Sequence, residues 1–114
     1  MLAVVFEFEP VDERRQDYLD FAATLAAELE AIDGFISIER FQSLSQPGKL
    51  LSLSFWRDEA AISQWRNLEK HRAAQSAGRS GIMSDYRLRV ASVIRDYGLR
   101  DRGEAPDDSL QFHR

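Results

Sequence analysis

The stretch that decides the fold is residues 51–98, which read LSLSFWRDEAAISQWRNLEKHRAAQSAGRSGIMSDYRLRVASVIRDYG. Its first residues alternate leucine or phenylalanine with serine, a period of two that predicts a β-strand with one apolar face. After Asp58, a good helix N-cap, the apolar residues recur at helical spacing, and a long extended segment follows. The stretch therefore predicts a strand, a helix and a final strand, and the helix carries Trp65 and His71.

The first half of the chain predicts a strand, a helix and a hairpin. Residues 2–9 carry large apolar side chains at every second position and end at Pro10, which is typical of a strand. From residue 12 the apolar spacing becomes helical, until Asp33 and Gly34 provide a C-terminal stop. Residues 35–43 and 49–57 are two further strands, joined by a turn that contains Pro-Gly.

The remaining elements complete a β-α-β-β-α-β order. We expect the second helix to run from Asp58 to about residue 77 and the last strand from residue 84 to residue 97. This order predicts a ferredoxin-like α+β fold, with one four-stranded antiparallel sheet and both helices on the same face. We expect the folded domain to span residues 1–98, and residues 99–114, which show no periodicity, to form a polar C-terminal tail.

Several of the predicted strands are apolar on both faces, although helices would cover only one. The first strand carries valine or alanine opposite its leucine and phenylalanines, and the third carries Leu50 and Trp56 opposite its alternating Leu and Phe. A sheet of this kind requires a cover on its second face. We therefore predict a homodimer in which two sheets pack face to face around a two-fold axis, which also protects the edge of the last strand. Trp56 could form part of a cavity wall or of that interface, and we favour the interface.

The composition excludes several classes of function. The chain has 114 residues, enough for one domain and too few for two. Its formal net charge is -4 and its arginines are interspersed with acidic residues, so we expect no nucleic-acid partner. It contains no cysteine, which excludes disulfides and thiolate chemistry and favours the cytoplasm. The first apolar run is interrupted at Glu7 and follows no basic residue, so we expect neither a signal peptide nor a membrane partner.

Metal and nucleotide sites are also excluded by the inventory of residues. The two histidines, His71 and His113, are far apart in the sequence, and no carboxylate lies three or four residues after His71. No glycine-rich phosphate loop precedes either helix, and no nucleophile elbow is present.

One segment is similar to a known family. Residues 54–62 read SFWRDEAAI, and Trp65 and then His71-Arg72-Ala73-Ala74 follow. A strand that ends in Trp, an acidic helix start, a helix Trp and a His-x-x-Ala segment together resemble the antibiotic biosynthesis monooxygenase domain family of dimeric α+β barrel proteins. The resemblance covers residues 1–98 and implies a sheet-to-sheet homodimer with a small-molecule pocket between the sheet and the second helix.

The resemblance implies two chemistries for such a pocket. In relatives that oxidise quinol-like substrates with dioxygen and no cofactor, a helix Trp, a Tyr and an Arg on the last strand line the pocket. Trp65 matches this Trp, His71 replaces the Tyr, and Arg87 or Arg89 stands for the Arg. Heme-degrading relatives need an Asn on the first strand and a His ten residues after the helix Trp. Here the chain has Glu7 and Gln75, which argues against heme.

The leading hypothesis is a cofactor-independent monooxygenase that acts on a small aromatic or quinol-like substrate. Phe41, Phe55 and Trp65 would bind the aromatic ring, and His71 would remove a phenolic proton as general base. Arg87 or the Trp65 indole would stabilise the oxyanion, so His71, Trp65 and Arg87 are the candidate catalytic residues.

Each of these residues also has a structural interpretation. Trp65 has the spacing of a core residue, His71 could brace the sheet, and arginines on the face that carries Arg87, Arg89 and Arg95 are usually structural. Tyr86, on the opposite face of that strand, is expected in the core. The second hypothesis is thus a non-catalytic dimeric binding or stress-associated protein, and the third is heme binding or degradation.

Overall fold

The computed structural model describes the backbone of residues 1–75 and 83–112, and within these ranges all side chains except Asp12 and those of residues 70–75, 83–84 and 110–112. A short 3-10 turn, Asp12–Arg14, precedes the first helix. The strands and helices are β1 (Leu2–Pro10), α1 (Arg15–Glu30), β2 (Phe35–Gln42), β3 (Leu50–Trp56), α2 (Glu59–Gln75), β4 (Met83–Ser92) and α3 (Asp107–Phe112).

The four strands form one antiparallel sheet in the order β2-β3-β1-β4. This is the ferredoxin-like arrangement that the order of elements predicts, and the α+β fold class is confirmed. The sheet-to-sheet dimer stays a prediction. Within the described residues β4 pairs only with β1. It is therefore one of the two edge strands of the sheet, and β2 is the other.

Both helices pack on the same face of the sheet, here called the helix side. Its main cluster of buried residues joins the strands to both helices: Val4, Leu29, Trp56, Ala61 and Ile62. Trp56 is 1% exposed, and its Nε1 donates a hydrogen bond to Ser54 Oγ at 2.9 Å. The expectation that Trp56 lies at a dimer interface is therefore wrong, since its side chain shares the helix side with Ser54.

One corner of the molecule joins the end of α1, the end of β3 and the start of α2. Asp58 caps α2 as expected, because its Oδ1 accepts the N–H of Ala61 at 3.0 Å. Arg57 donates to both oxygens of Asp33, at 3.0 and 3.2 Å, and to Asp58 at 3.0 Å. Gly34 has φ of 96°, and a Cβ there would lie 2.9 Å from that of Ala61, so this corner requires glycine.

The opposite face, here called the helix-free side, has no helix over it in the described part of the chain. Its positions on β3 are Leu51, Leu53 and Phe55, which remain partly exposed. The backbone register places Val5 and Glu7 of β1 beside them. An apolar patch on β3 and Val5 thus lies on this side, next to the charged Glu7.

The last strand and the tail differ from expectation. β4 ends at Ser92 and not near residue 97, because its partner strand β1 begins at Leu2. Just beyond the two strands, the N–H of Val93 donates a backbone hydrogen bond to Met1 O at 3.1 Å. Arg95 is consequently not on the strand. The tail contains a short helix, α3, that no periodicity predicts.

Candidate functional site

Trp65 lies on the sheet-facing side of α2. Its ring is half-buried and packs against the cluster that contains Val4, Leu29 and Trp56. At this position the indole completes the core with one part of its ring and leaves the rest exposed on the helix side.

His71 lies in α2, six residues after Trp65. Its side chain is outside the described residues. Its role as general base therefore stays a prediction.

The other predicted site residues lie on the opposite side of the sheet. Phe55 pairs with Ala3, and Phe41 pairs with Leu51, so both phenylalanines belong to the helix-free side. Arg87 pairs with Glu7 and shares that side. This placement corrects the expected single pocket, because alternate residues of a strand point to opposite faces. The structure does not bring Phe41, Phe55 and Arg87 together with Trp65.

Glu7 lies at the centre of the helix-free side and forms ion pairs there. Its Oε2 is 3.4 Å from Arg89 Nη1 and 3.6 Å from Lys49 Nζ. The hydrogen bond from Arg89, followed by the charge of Lys49, holds the pKa of Glu7 below its ordinary value. Glu7 is thus not directed toward a ligand on the helix side.

A charged cleft of about 290 Å³ lies at one end of the helix-free side, where the β2–β3 turn approaches β4. Its lining includes the acidic residues Glu7, Glu9 and Asp85 and the basic residues Lys49 and Arg87. Its walls are mostly polar, unlike the apolar pockets that bind aromatic ligands.

The helix side has an apolar surface that the helices leave open. It follows the outer strand and consists of Tyr86, Leu88 and Val90, here called the β4 strip, which are exposed to 65%, 52% and 40%. The expectation that Tyr86 is a core residue is therefore wrong. The helices cover β1 and β3, whereas β4 at the edge lies beyond their reach.

Aromatic rings connect the β4 strip to the interior. Tyr86 packs edge-on against Phe6 with ring centroids 5.8 Å apart, and Phe6 stacks on Phe8 at 5.0 Å. Phe8 in turn contacts Tyr18 of α1 at 4.5 Å. The helix side thus offers a continuous aromatic wall that begins at solvent and ends at a buried hydroxyl.

Three polar residues on the helix side were not expected from the sequence: Tyr18, Arg40 and Glu69. Burial raises the pKa of Tyr18, and a hydrogen bond from Arg40 opposes that rise. Glu69 is four residues after Trp65 and so lies on the same side of α2. Its side chain as a whole is exposed, but neighbouring atoms partly bury the carboxyl, and this burial raises its pKa. The helical spacing of Ile62, Trp65 and Glu69 was the available signal, but a glutamate at such a position is usually solvated.

Neither a metal-binding cluster nor a membrane-spanning helix is found among the described residues. Among them, no three His, Cys, Asp or Glu side chains lie close enough to hold a metal ion. None of the described helices is both long and apolar enough to cross a membrane.

Comparison with known proteins gives a family and two curated relatives. Residues 1–77 match the family model described as Antibiotic biosynthesis monooxygenase. A protein of Pyricularia oryzae named Jasmonate monooxygenase ABM is 50% identical over 93 residues, 82% of this chain and 43% of that protein. Uncharacterized protein YqjZ of Bacillus subtilis is 36% identical over 62 residues, 54% of this chain and 53% of that protein. The chain thus spans about half the length of the curated relatives it matches.

Solved structures share the fold at low identity. Rv0793 from Mycobacterium tuberculosis has a TM-score of 0.70 and 16% identity, and the match covers 85% of this chain and 98% of that one. The heme-degrader MhuD from Mycobacterium tuberculosis, solved with two hemes bound, has a TM-score of 0.66 and 15% identity, covering 86% and 100%. These identities establish a common fold and nothing more specific.

Proposed function

Because this chain belongs to the antibiotic biosynthesis monooxygenase family, we propose that it transfers one oxygen atom from dioxygen to a small, largely apolar substrate. The observation that carries the proposal is the 50% identity over 93 residues to a protein named jasmonate monooxygenase. The whole of that relative is longer than the matched part, so its activity and substrate come to this chain as part of the proposal.

The proposed binding site is on the helix side, between α2 and the strands β1 and β4. Trp65 forms one wall, and Phe6 and Tyr86 form another, which supplies the apolar and aromatic surface that a small ring compound requires. The site is open along the β4 strip, so a substrate can enter from that edge. The charged cleft on the helix-free side suits such a substrate less well.

Two groups on α2 are the proposed general bases, His71 and Glu69. Burial raises the pKa of the Glu69 carboxyl above its ordinary value, which makes this carboxylate a stronger base than a solvated glutamate. His71, at the position where relatives carry a Tyr, titrates near neutrality in its unperturbed state. Arg40, beside the Tyr18 hydroxyl, can stabilise the oxyanion that forms when a phenolic or enolic proton leaves. Arg87 has this task only if the substrate binds on the helix-free side.

The electron balance separates two substrate classes. A hydroxyanthrone-type substrate gives both electrons itself: its ring CH₂ becomes C=O, one oxygen atom of O₂ enters the product, and the other leaves as water. Hydroxylation of an alkyl C–H, as in a jasmonate-like substrate, needs two further electrons and two protons from an external reductant. A chain that acts without a cofactor is therefore expected to prefer the first class.

We include the homodimer in the proposal. The helix-free side presents Leu51, Leu53 and Phe55 to solvent, and a second copy of the sheet would remove them from water.

The test is oxygen uptake by the purified chain with a hydroxyanthrone alone, and with jasmonic acid in the presence of a reductant. The expected result is uptake matched by a product that gains one oxygen, detected by mass spectrometry. Two variants, His71→Ala and Glu69→Gln, each remove one of the two proposed bases. The variant that removes the base that acts in the reaction is expected to lower kcat by about 100-fold or more. Leu44→Ala, in a fully exposed turn, is the matched control and should not change the rate.

Other outcomes would contradict parts of the proposal. Loss of activity in Arg87→Ala, with Trp65→Ala unaffected, would move the site to the helix-free side. Binding of a substrate without oxygen uptake would favour a non-catalytic binding protein. A Soret band that forms on addition of hemin and decays under a reductant would favour heme degradation. The helix side of β1 carries Leu2, Val4, Phe6 and Phe8, which offer heme no polar contact.

A further inference from the structure

An arginine without an ion pair lies on the helix side of the edge strand β2. Arg40 pairs with Ser52 of β3, so the two side chains point to the same face of the sheet. Among the described residues, no carboxylate lies within ion-pair distance of its guanidinium. By contrast, Arg14, Arg57 and Arg89 each pair with an aspartate or a glutamate. The charge of Arg40 is therefore available to an anion from outside the chain.

The hydroxyl of Tyr18 lies beside Arg40. Tyr18 of α1 is 8% exposed, and its oxygen accepts a hydrogen bond from the Arg40 guanidinium. A guanidinium only donates hydrogen bonds, so this contact leaves the hydroxyl hydrogen of Tyr18 for another acceptor. Burial raises the pKa of the hydroxyl, which keeps it protonated and able to donate.

The hydroxyl of Ser52 is the third polar group at this place. Ser52 is 6% exposed, and no described residue forms a hydrogen bond with its side chain. Every fully buried side-chain oxygen in the described part of the chain has a partner, so solvent must still reach the Ser52 hydroxyl. A nearly buried hydroxyl with a path to solvent can bind a ligand oxygen without breaking a hydrogen bond within the protein.

The aromatic wall of the helix side begins next to these polar groups. Ser52 pairs with Phe6 of β1 on the side away from Arg40. Phe6 in turn contacts Tyr86 at the open edge of the proposed site. Two strand spacings, about 10 Å, separate Arg40 from Phe6 along this row. A ligand whose ring lies over Phe6 can thus place a polar group at Arg40.

We propose that Arg40, Tyr18 and Ser52, here called the polar end, bind a carboxylate, and that the substrate is a small organic acid. This assignment rests on the proposed function for the remainder of the site. The planar fork of a guanidinium matches the two oxygens of a carboxylate, and the two hydroxyls supply further donors. A neutral carbonyl would use one of these donors and leave the charge of Arg40 without a counterion.

The charges also orient the substrate. Besides burial, the charge of Glu69 contributes to the raised pKa of Tyr18, so these two groups are close together. A carboxylate is repelled by Glu69 and attracted by Arg40, which directs the ring of the acid over Phe6. In such a substrate the carboxylate occupies Arg40, and the Trp65 indole N–H becomes the donor for an oxyanion of the ring.

The test compares each acid with its own methyl ester. The probes are jasmonic acid and anthraquinone-2-carboxylic acid, each with its methyl ester, titrated into the full chain at pH 7 by calorimetry. Each acid should bind at least about tenfold more tightly than its ester, because the ester lacks the charge that pairs with Arg40. Equal affinities for acid and ester, or no binding of either acid, would overturn the inference.

Substitutions locate the preference for the acid. Arg40→Gln removes a charge at an exposed position and should lower the affinity for the acid to that for the ester, which itself changes less than about threefold. Tyr18→Phe keeps the ring and should weaken binding of the acid about three- to tenfold. Arg100→Gln, at an exposed position in the tail, is the matched control and should keep the full preference. A preference that survives Arg40→Gln, or an ester weakened as much as the acid, would contradict the assignment.

These binding measurements are independent of the oxygen-uptake test. Tight binding of acids that depends on Arg40, without oxygen uptake, would refute the proposed function and support the polar end. Oxygen uptake with acid and ester at equal affinity would support the proposed function and refute the polar end.

Discussion

The two faces of the sheet are formed by alternate residues of the same strands, yet they differ in burial: helices cover one face and leave the other partly exposed. On β3 the helix side carries Ser52, Ser54 and Trp56, all buried, while the helix-free side carries leucines and a phenylalanine that remain partly exposed. The helices thus cover the face on which two small serines stand between Leu50 and Trp56. Small serines leave room for side chains of α1 and α2 above the sheet, whereas the leucines and phenylalanine of the other face have no helix over them among the described residues.

The largest expected effect is on the free energy of unfolding and comes from the buried helix side of the sheet. Trp56→Ala should lower the free energy of unfolding by about 3–5 kcal/mol, because it removes a fully buried indole and leaves a cavity. Urea denaturation measures the change. Phe55→Ala, one residue earlier and on the other face, is the matched control and should cost less than half as much in dilute protein. Equal costs would mean that the two faces are equally buried in a single chain.

The second prediction tests the cover of the helix-free side. Leu53→Asp should raise the Kd of the dimer by about 100-fold or more, because each two-fold interface would bury two unpaired charges. Analytical ultracentrifugation measures the Kd. Leu44→Asp adds the same charge at a fully exposed turn and should leave the Kd unchanged. A Leu53→Asp protein that dimerises normally would show that this face is not the interface.

The third prediction uses the carboxylate on the helix side. The pKa of Glu69 is raised by burial, so its charged form costs stability once the pH exceeds the ordinary value of 4.5. Glu69→Gln should therefore raise Tm at pH 7 and leave Tm unchanged near about pH 3.5, where the carboxyl is protonated in both states. Thermal melts across this range measure the difference. A lower Tm at pH 7 would show that the Glu69 carboxylate has a stabilising partner.

The smallest expected effect concerns Glu7 on the helix-free side. Its replacement should lower Tm, whereas replacement of Glu69 should raise it. The pKa of Glu7 is lowered by Arg89 and Lys49, so its charge contributes stability above pH 4.5 that is lost as the pH falls through the lowered folded pKa. Glu7→Gln should lower Tm slightly at pH 7, and the difference should disappear in strong acid. High salt should also reduce it, because these groups are partly exposed. Glu9→Gln, two residues further along the same face, is the comparison variant.

The order of the strands and helices could be predicted from the sequence, but the face of the sheet that the helices cover could not. Alternation in β1 and β3 divides each strand into two sets without saying which set the helices cover. The alternation correctly predicts that Phe55 and Trp56 lie on opposite faces, but the prediction assigned Phe55 to the helix side and Trp56 to the outer face, the reverse of the structure. The decisive information was in Ser52 and Ser54, whose small size permits close helix packing.

The length of β4 could not be predicted for a related reason. Residues 93–97 continue the composition of a strand, but the sheet ends where β1 begins, so those residues find no partner in their own chain. Pairing depends on the neighbouring strand, and a single-strand pattern does not contain that information.

The corner around Arg57 also bears on how the chain folds. Its ion pair to Asp33 joins residues 24 apart, whereas the bond from Arg89 to Glu7 joins residues 82 apart. Closing the longer loop costs about 1 kcal/mol more in chain entropy. The β2–β3 hairpin, with the helix ends fixed at its base, can therefore form as a local unit before β4 finds β1. On a ribosome, β4 emerges after the other three strands, α1 and α2, so a newly made chain can complete this sheet only after those elements have been synthesised.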